Sequence, residues 1–249
     1  MIEHQIKLNS FFETTYLFSS YSAEHLFLLI GFVAFFVWFI RLLKVKPKAV
    51  QQRILLVLAL FLTVLQLAKI PLNHYTGVFD VTKDIPLHMC NFLPMIMIWV
   101  YATKNRTVWA MIFFWIILGV SQANFTPSVE FSLFHYDAIR YWMVHLMLVL
   151  LGLYPAIVWG WDLELKDVGR SFIALNVVAG VIYFLNLMLN SNYLYVMDKP
   201  PGTTFFSLLP EWPIYILVLE AIIIVWSLMV WGVFRMVKKR VVNSNQVKL

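Results

Sequence analysis

The chain has one cysteine in 249 residues, and it stands among polar neighbours. The stretch Pro86-Leu87-His88-Met89-Cys90-Asn91-Phe92-Leu93-Pro94 places Cys90 where a long apolar run begins. A thiol becomes a nucleophile once a base takes its proton and the resulting thiolate is paired with the base. His88 is a neighbour in sequence only, because positions i and i+2 on a helix do not share a face. The base therefore has to come from another segment. His145, about one turn into a second apolar run, is expected at a matching depth. Tyr141 lies at i−4 on the same helical face, where its hydroxyl would orient the imidazole or meet a substrate. The competing reading is packing: a lone cysteine in an apolar helix is a small and inert residue, since burial disfavours the thiolate.

Other chemistries lack their signatures. One cysteine excludes an internal disulfide framework. No Gly-x-Ser-x-Gly, no His-Glu-x-x-His and no phosphate-cradling glycine loop occurs. His25, His74, His88, Cys90, His135 and His145 offer metal-ligand atoms, but their spacing fits no zinc motif. No cofactor is expected.

These side chains need elements to hold them. The composition is 61% hydrophobic and only 13% charged, against about 25% charged in soluble domains. Such a chain cannot cover a water-facing surface, and it reads as an all-α polytopic membrane protein. Spans need about 20 mostly apolar residues. Seven transmembrane helices are expected: His25–Leu43, Ile54–Ile70, Leu87–Thr103, Thr107–Asn124, Tyr141–Gly160, Ser171–Asn190 and Pro213–Val237. The third and fourth are joined by Lys104-Asn105-Arg106 alone and form a hairpin. The expected division is an extracytoplasmic segment over 1–24, one bundle over 25–237 and a basic cytoplasmic tail over 238–249. The first 24 residues lack an apolar core after a basic start, so no cleavable signal peptide is expected.

Charge sets the expected orientation. One set of connections carries 14 of the 19 lysines and arginines; the other holds only Lys7, Lys69, Lys83, Arg140 and Lys199. The positive-inside rule then puts the N-terminus outside and the C-terminus in the cytoplasm. The net charge of +6 is accordingly a topology signal and a contact with anionic lipid. No soluble basic domain exists to bind nucleic acid, which is excluded as a partner.

Polar residues are distributed unevenly along the spans. The halves expected at the cytoplasmic side are bare, as in Ile54-Leu55-Leu56-Val57-Leu58 and Met95-Ile96-Met97-Ile98. The other halves hold His25, Gln66, Lys69, His88, Cys90, Asn91, Ser121, Gln122, Asn124, His145, Tyr183, Asn186, Asn190 and Glu220. Polar groups inside a bilayer face the bundle interior. A belt of them at one depth reads as a cavity open to the outer leaflet, whereas interhelical glue has no reason to avoid one half. Asn176, Gly180, Tyr183, Asn186 and Asn190 follow helical spacing, and Glu220 needs a partner such as Lys69, Arg140 or a histidine.

The chain resembles the YwaF-like bacterial integral membrane proteins, which are related to eukaryotic transmembrane protein 164. The resemblance rests on Glu24-His25-Leu26, on Pro86–Asn91, on Gln122-Ala123-Asn124-Phe125-Thr126-Pro127 and on His135 with His145. It continues through Asn186, Asn192-Tyr193, Lys199-Pro200 and Glu211-Trp212-Pro213 to Glu220, from about residue 20 to 236. The eukaryotic relative is regarded as a phospholipid acyltransferase with a cysteine and a histidine in its active centre. By motif, Cys90 and His145 match those positions. The Glu211-Trp212-Pro213 corner departs from the family's Gly-Pro-Trp-Pro.

The resemblance implies an acyltransferase or transacylase acting on outer-leaflet phospholipid in the bacterial cytoplasmic membrane. Cys90 would form an acyl thioester and His145 would move the protons. Asn91, Gln122 or Asn124 would donate to the oxyanion, and Lys69 or Arg140 would hold the lipid phosphate. His88, Tyr141, Asn186, Asn190 and Glu220 are expected to contact substrate. The alternatives are a proton-coupled transporter using Glu220, Lys69 and the histidines, or a seven-helix sensor. The bare halves offer no cytoplasmic exit, no inverted repeat is evident, and no signalling domain is visible.

Overall fold

Ser22, Asn105 and His135 each accept a backbone N–H of the helix that follows, so these starts are written in their capping residues. The structure, a computed structural model, describes residues 17–133, 135–200 and 205–246. Lys7 and most of the expected extracytoplasmic segment lie outside the described residues.

The helices are α1 Ala23–Lys44, α2 Lys48–Leu67, α3 Lys69–Thr76, α4 Met89–Thr103 and α5 Arg106–Trp115. A π-helical turn, Ile116–Val120, follows α5. Then come α6 Gln122–Phe125, α7 Tyr136–Val158, α8 Leu165–Leu189 and α9 Ile214–Gln246, with 3-10 turns at Tyr193–Tyr195 and Phe205–Leu208. One isolated β-bridge, Leu17 with Phe131, is the extended pairing among the described residues.

Among the described residues, six helical segments are long and apolar enough to cross a membrane, and Met89–Thr103 is a shorter apolar helix. This is a multi-pass membrane protein. The expected third span differs from the rest. His88 is extended (φ −72°, ψ 148°) and caps α4, which leaves 15 residues, about 22 Å at 1.5 Å per residue. Elsewhere the helices outrun expectation. The second segment continues through Pro71 to Thr76, and His135 Nδ1 accepts the Asp137 N–H at 3.1 Å, starting α7 five residues before Tyr141. Helix α9 runs on through 238–246.

Helix α7 and the α5–α6 segment form the centre, with 61% and 56% of their spanning windows buried, against 6% for α1 and for α9. Tyr101, Trp109, Phe114, Ile116 and Tyr154 fill that centre. Gly152 allows close approach: an added Cβ would meet Ile116 at 3.1 Å. Pro155 has no N–H to give the Leu151 carbonyl four residues back, and the Tyr101 hydroxyl donates to that carbonyl at 2.6 Å instead.

Two polar ends result. At the basic end, Arg106 bonds Asp167, and Asp162 pairs with Arg235 and Lys238. At the histidine end, His25 Nε2 lies 2.8 Å from the Asn124 carbonyl and the Tyr136 hydroxyl donates to the Leu65 carbonyl at 3.1 Å. Cys90 and His145 belong to the histidine end.

Candidate active site

Cys90 is the second residue of α4, in the turn whose backbone N–H groups lack intrahelical partners. The thiol is half-buried and donates to Asn91 Oδ1 at 3.3 Å. Pro94, four residues on, removes the donor that the Cys90 carbonyl would meet in a regular helix. Behind this turn a Cβ on Gly119 would stand 3.3 Å from Met89 Sδ, so the π turn lets the start of α4 pack closely.

Asn91 Oδ1 also accepts from Gln66 Nε2. Gln66 Oε1 accepts from Arg140 Nη1 at 2.9 Å, and Arg140 Nη2 donates to Asp137 at 3.0 Å. A chain of hydrogen bonds thus runs from the thiol through α2 to α7. Polar groups from three helices hold one another, which is the interhelical role weighed against the cavity reading.

His145 is buried. Its Nδ1 lies 2.7 Å from the Tyr141 carbonyl oxygen. A carbonyl only accepts, so Nδ1 carries the hydrogen and the basic lone pair is on Nε2. The Tyr141 ring stacks at 4.0 Å on the imidazole. The orienting groups are therefore the backbone and ring of Tyr141. Its hydroxyl, expected in that role, donates to the Ala123 carbonyl at 2.7 Å. Among the described residues no hydrogen bond joins Cys90 to His145, but the two share neighbours. Arg140, on the same helix as His145, is joined to the thiol through Gln66 and Asn91.

The remaining expected residues divide. Both cations already hold carboxylates: Lys69 Nζ is 2.6 Å from Asp84, and Arg140 holds Asp137. His88 Nδ1 accepts the Leu194 N–H at 3.3 Å, between the rings of Tyr193 and Tyr195. Burial and then the Lys69 cation push its pKa down to about 4. Asn124 donates to the Val120 carbonyl at 3.3 Å and is left with a buried acceptor, Oδ1, that has no partner. Gln122 is exposed, and its backbone oxygen accepts from Thr126.

Asn186 closes the turn after α8. Its Oδ1 accepts from the Tyr193 N–H and the Ser191 hydroxyl, both at 2.8 Å, and its Nδ2 donates to the Tyr193 carbonyl at 2.9 Å. Asn190 is exposed and supplies the left-handed C-cap of α8 (φ 50°). Glu220 takes its hydrogen bond from Asn176 at 3.0 Å, in place of the expected Lys69, Arg140 or histidine. The residues spaced from Asn176 to Asn190 do not form one buried face, because Asn186 is buried while Asn176, Gly180 and Asn190 are exposed. Among the described residues, no three His, Cys, Asp or Glu side chains gather as a metal-binding group.

Sequence reasoning missed Tyr195. Leu194 and Tyr195 have φ of 58° and 54°, a conformation that costs a non-glycine residue about 1–3 kcal/mol and is found at functional sites. The Tyr215 hydroxyl holds the Tyr195 carbonyl, and the Tyr195 ring lies 5.1 Å from the imidazole of His88. No turn signature in Asn192-Tyr193-Leu194-Tyr195 announces it. The carboxylate partner of Arg140 was legible, since Asp137 is three residues before it on one helix face.

Comparison with known proteins rests on a family match. Residues 20–231 match the model of the TMEM164 family. Searches of the curated proteins and of the solved structures found no match. The matched span runs from just before α1 into α9 and includes every residue of the Cys90–His145 group, so the chain belongs to the TMEM164 family.

Proposed function

We propose that this protein is a membrane-embedded transacylase that moves an acyl chain from one phospholipid to another, with Cys90 as nucleophile and His145 as the base. The fixed tautomer of His145 supports this reading: Nδ1 is committed to the Tyr141 carbonyl, which leaves Nε2 as the basic nitrogen.

The chemistry balances without a cofactor. At rest the thiol hydrogen points to Asn91 Oδ1, and the reaction requires it to turn to Nε2. His145 takes the proton and the thiolate adds to the ester carbonyl. The carbon–oxygen bond breaks, the leaving lysolipid oxygen takes the proton from the imidazolium, and an acyl thioester remains. A second lipid hydroxyl gives its proton to Nε2 and attacks the thioester. The sulfur leaves and recovers the proton. Asn91 Oδ1 is taken by Gln66 and Cys90, so its Nδ2 hydrogens are the ones directed to the oxyanion.

In the same reading α4 is a seventh, short crossing, the N-terminus is outside and the C-terminus is in the cytoplasm of a bacterial cell. The basic end supports this through the positive-inside rule. At about 22 Å, α4 falls roughly 8 Å short of a 30 Å hydrocarbon core. With its C-terminal end at the basic interface, its start puts Cys90 near the ester depth of the opposite leaflet. Soluble acyl-CoA is not supplied there, which favours a lipid donor. The test is intact-protein mass spectrometry after incubation with phospholipid vesicles. A hydroxylamine-labile acyl adduct is expected on the wild type and absent from Cys90→Ala. Full acyl transfer by Cys90→Ala would end the cysteine mechanism.

A further inference from the structure

The cations of the basic end fall into two groups. The carboxylates described there, Asp162, Glu164 and Asp167, lie in or just after the connection between α7 and α8. They take Arg106, Lys166, Arg170, Arg235 and Lys238 as partners. Lys44, Lys46 and Lys48, at the corner between α1 and α2, and Lys104 after α4 are exposed. None of these four pairs with a carboxylate among the described residues. The backbone that presents them is fixed from beneath. Buried Gln51 donates from Nε2 to the Lys46 carbonyl at 2.8 Å and to the Lys44 carbonyl at 3.3 Å. Its Oε1 accepts from Trp159 at 2.7 Å and from Tyr154 at 3.0 Å. Gln52 donates to the Tyr101 carbonyl at 2.7 Å, which ties the start of α2 to the end of α4. Lys104, left-handed at φ 54°, is thereby brought to the same edge of the bundle. Trp38 and Trp99 are exposed by 56% and 54%, and they precede Lys44 and Lys104 by about 8–9 Å along their helices. Exposed indoles of this kind sit at the headgroup level of a bilayer, so the four ammonium groups reach the level of the phosphates.

We infer that the α1–α2 corner, with Lys104, is a binding site for the headgroup of an anionic phospholipid. Charge is neutralised on the α8–α9 side and left uncompensated at the corner, so attraction to an anion is local to these lysines. The indoles and Leu42, exposed beside them, call for a partner that continues as hydrocarbon. A soluble acidic protein or a nucleic acid brings charge without a chain. A zwitterionic lipid brings chains, but its phosphate is already paired with its own ammonium. An anionic lipid supplies both: a phosphate for the lysine ammonium groups and acyl chains to lie along Trp38 and Trp99. Gln51 uses both amide hydrogens and accepts twice at its oxygen, so the corner is ordered before the lipid arrives and little entropy is lost in binding. The site lies at the end of the bundle away from Cys90 and stands independently of the acyl-transfer reading.

The purified full chain in neutral detergent micelles, titrated with lipid and followed by native mass spectrometry, tests this. It should retain phosphatidylglycerol at least about tenfold more tightly than phosphatidylethanolamine. Lys44→Gln/Lys46→Gln/Lys48→Gln should weaken phosphatidylglycerol binding by at least about tenfold and leave phosphatidylethanolamine binding unchanged. Lys166→Gln/Arg170→Gln/Arg235→Gln removes the same charge from the paired side and should weaken it by less than about twofold, because distant charges are screened. Glycerol 3-phosphate in excess should not displace the lipid, since it lacks the chains. A second measurement needs no variant. Acetylation of amines on the wild type, read by peptide mass spectrometry, should be slowed by phosphatidylglycerol by about threefold or more at Lys44, Lys46, Lys48 and Lys104, and not at Lys166. Equal affinity for the two lipids, equal losses in the two triple variants, displacement by glycerol 3-phosphate, or corner lysines left unprotected would each overturn the proposal.

Discussion

The imidazole of His145 is held from both sides by Tyr141, whose carbonyl accepts from Nδ1 at 2.7 Å and whose ring lies 4.0 Å away. The helical turn itself thus fixes which nitrogen is basic. Removing either member of the proposed pair should abolish acyl transfer while the protein still folds. Cys90→Ala, Cys90→Ser and His145→Ala should each lower the rate by at least about a hundredfold, the lower range for losing a general base. The double variant should lose little more, because residues acting as one unit are non-additive. Rates of chain transfer between two labelled phospholipids decide it. Strict additivity would mean that the two side chains work independently.

A second prediction concerns the basic end. Asp167 is fully buried and receives Arg106 Nη2 at 2.5 Å and Nη1 at 3.1 Å, and its Oδ2 also accepts the Glu164 N–H at 2.8 Å. Arg106 in turn donates to the Asp162 carbonyl. Asp167→Ala would leave the guanidinium without its carboxylate, at a cost of about 3 kcal/mol, the lower end for breaking a buried pair. Arg170 contacts the same carboxylate from an exposed position, so Arg170→Ala should cost below about 1 kcal/mol. Equilibrium unfolding in mixed micelles measures both. Equal losses would show that the buried fork is not what clamps α5 to α8.

Much of this arrangement was legible in the amino-acid order, and the exceptions have physical causes. Apolar runs located every long helix, and they set Cys90 and His145 at one end of the bundle, but no hydrogen bond among the described residues joins the two. The boundaries failed where local capping competed with hydropathy. His135 and Asp137 look like loop residues, yet the His135 side chain caps the Asp137 N–H and starts α7 early. The short α4 reflects the extended His88 ahead of it. Partner choice was the least legible part, because it is tertiary. Glu220 meets Asn176, from a helix whose next nearest polar positions point elsewhere, and Lys69 meets Asp84 from the connection that follows its own helix. Tyr195 lies beside His88 at a point where two consecutive non-glycine residues take left-handed backbone angles.

The third prediction is a loss of stability in acid, centred on the cap over α4. His88 is held down at about 4 from 6.5 by burial and by the Lys69 cation. Between those values the unfolded chain binds more protons than the folded one, so stability rises with pH and is lost as pH falls through the window. Asp84 acts in the same direction. Burial alone would raise its carboxyl, but hydrogen bonds from Lys69, Asn73 and the Asp80 N–H outweigh that and hold it below 3.8. Its contribution is therefore present above that value and fades below it. Tm should fall between about pH 7 and pH 4.5 in the wild type, and His88→Gln should flatten the curve over that range. A wild-type Tm independent of pH there would remove His88 as the sensitive group.

The last prediction separates holding the thiol from merely holding the helices. Gln66 bridges Asn91 on α4 to Arg140 on α7, donating from Nε2 to Asn91 Oδ1 and accepting at Oε1 from Arg140 at 2.9 Å. Gln66→Glu keeps the acceptor that Arg140 needs but replaces the donor facing Asn91 with a second acceptor. The α2–α7 contact then survives, while Asn91 Oδ1, the group that receives the Cys90 thiol hydrogen, loses its anchor. Thermal stability should stay within a few degrees, since a change of about 1 kcal/mol moves Tm by roughly 2–4 °C in chains of this size. Acyl transfer should drop by about tenfold or more. Its pH profile should move to higher pH, because a carboxylate placed just beyond Asn91 from the thiol disfavours a negative sulfur. Gln66→Leu removes both bonds and should lower stability as well as rate. If Gln66→Glu lowered stability and left the pH profile in place, Gln66 would be a strut between helices and nothing more.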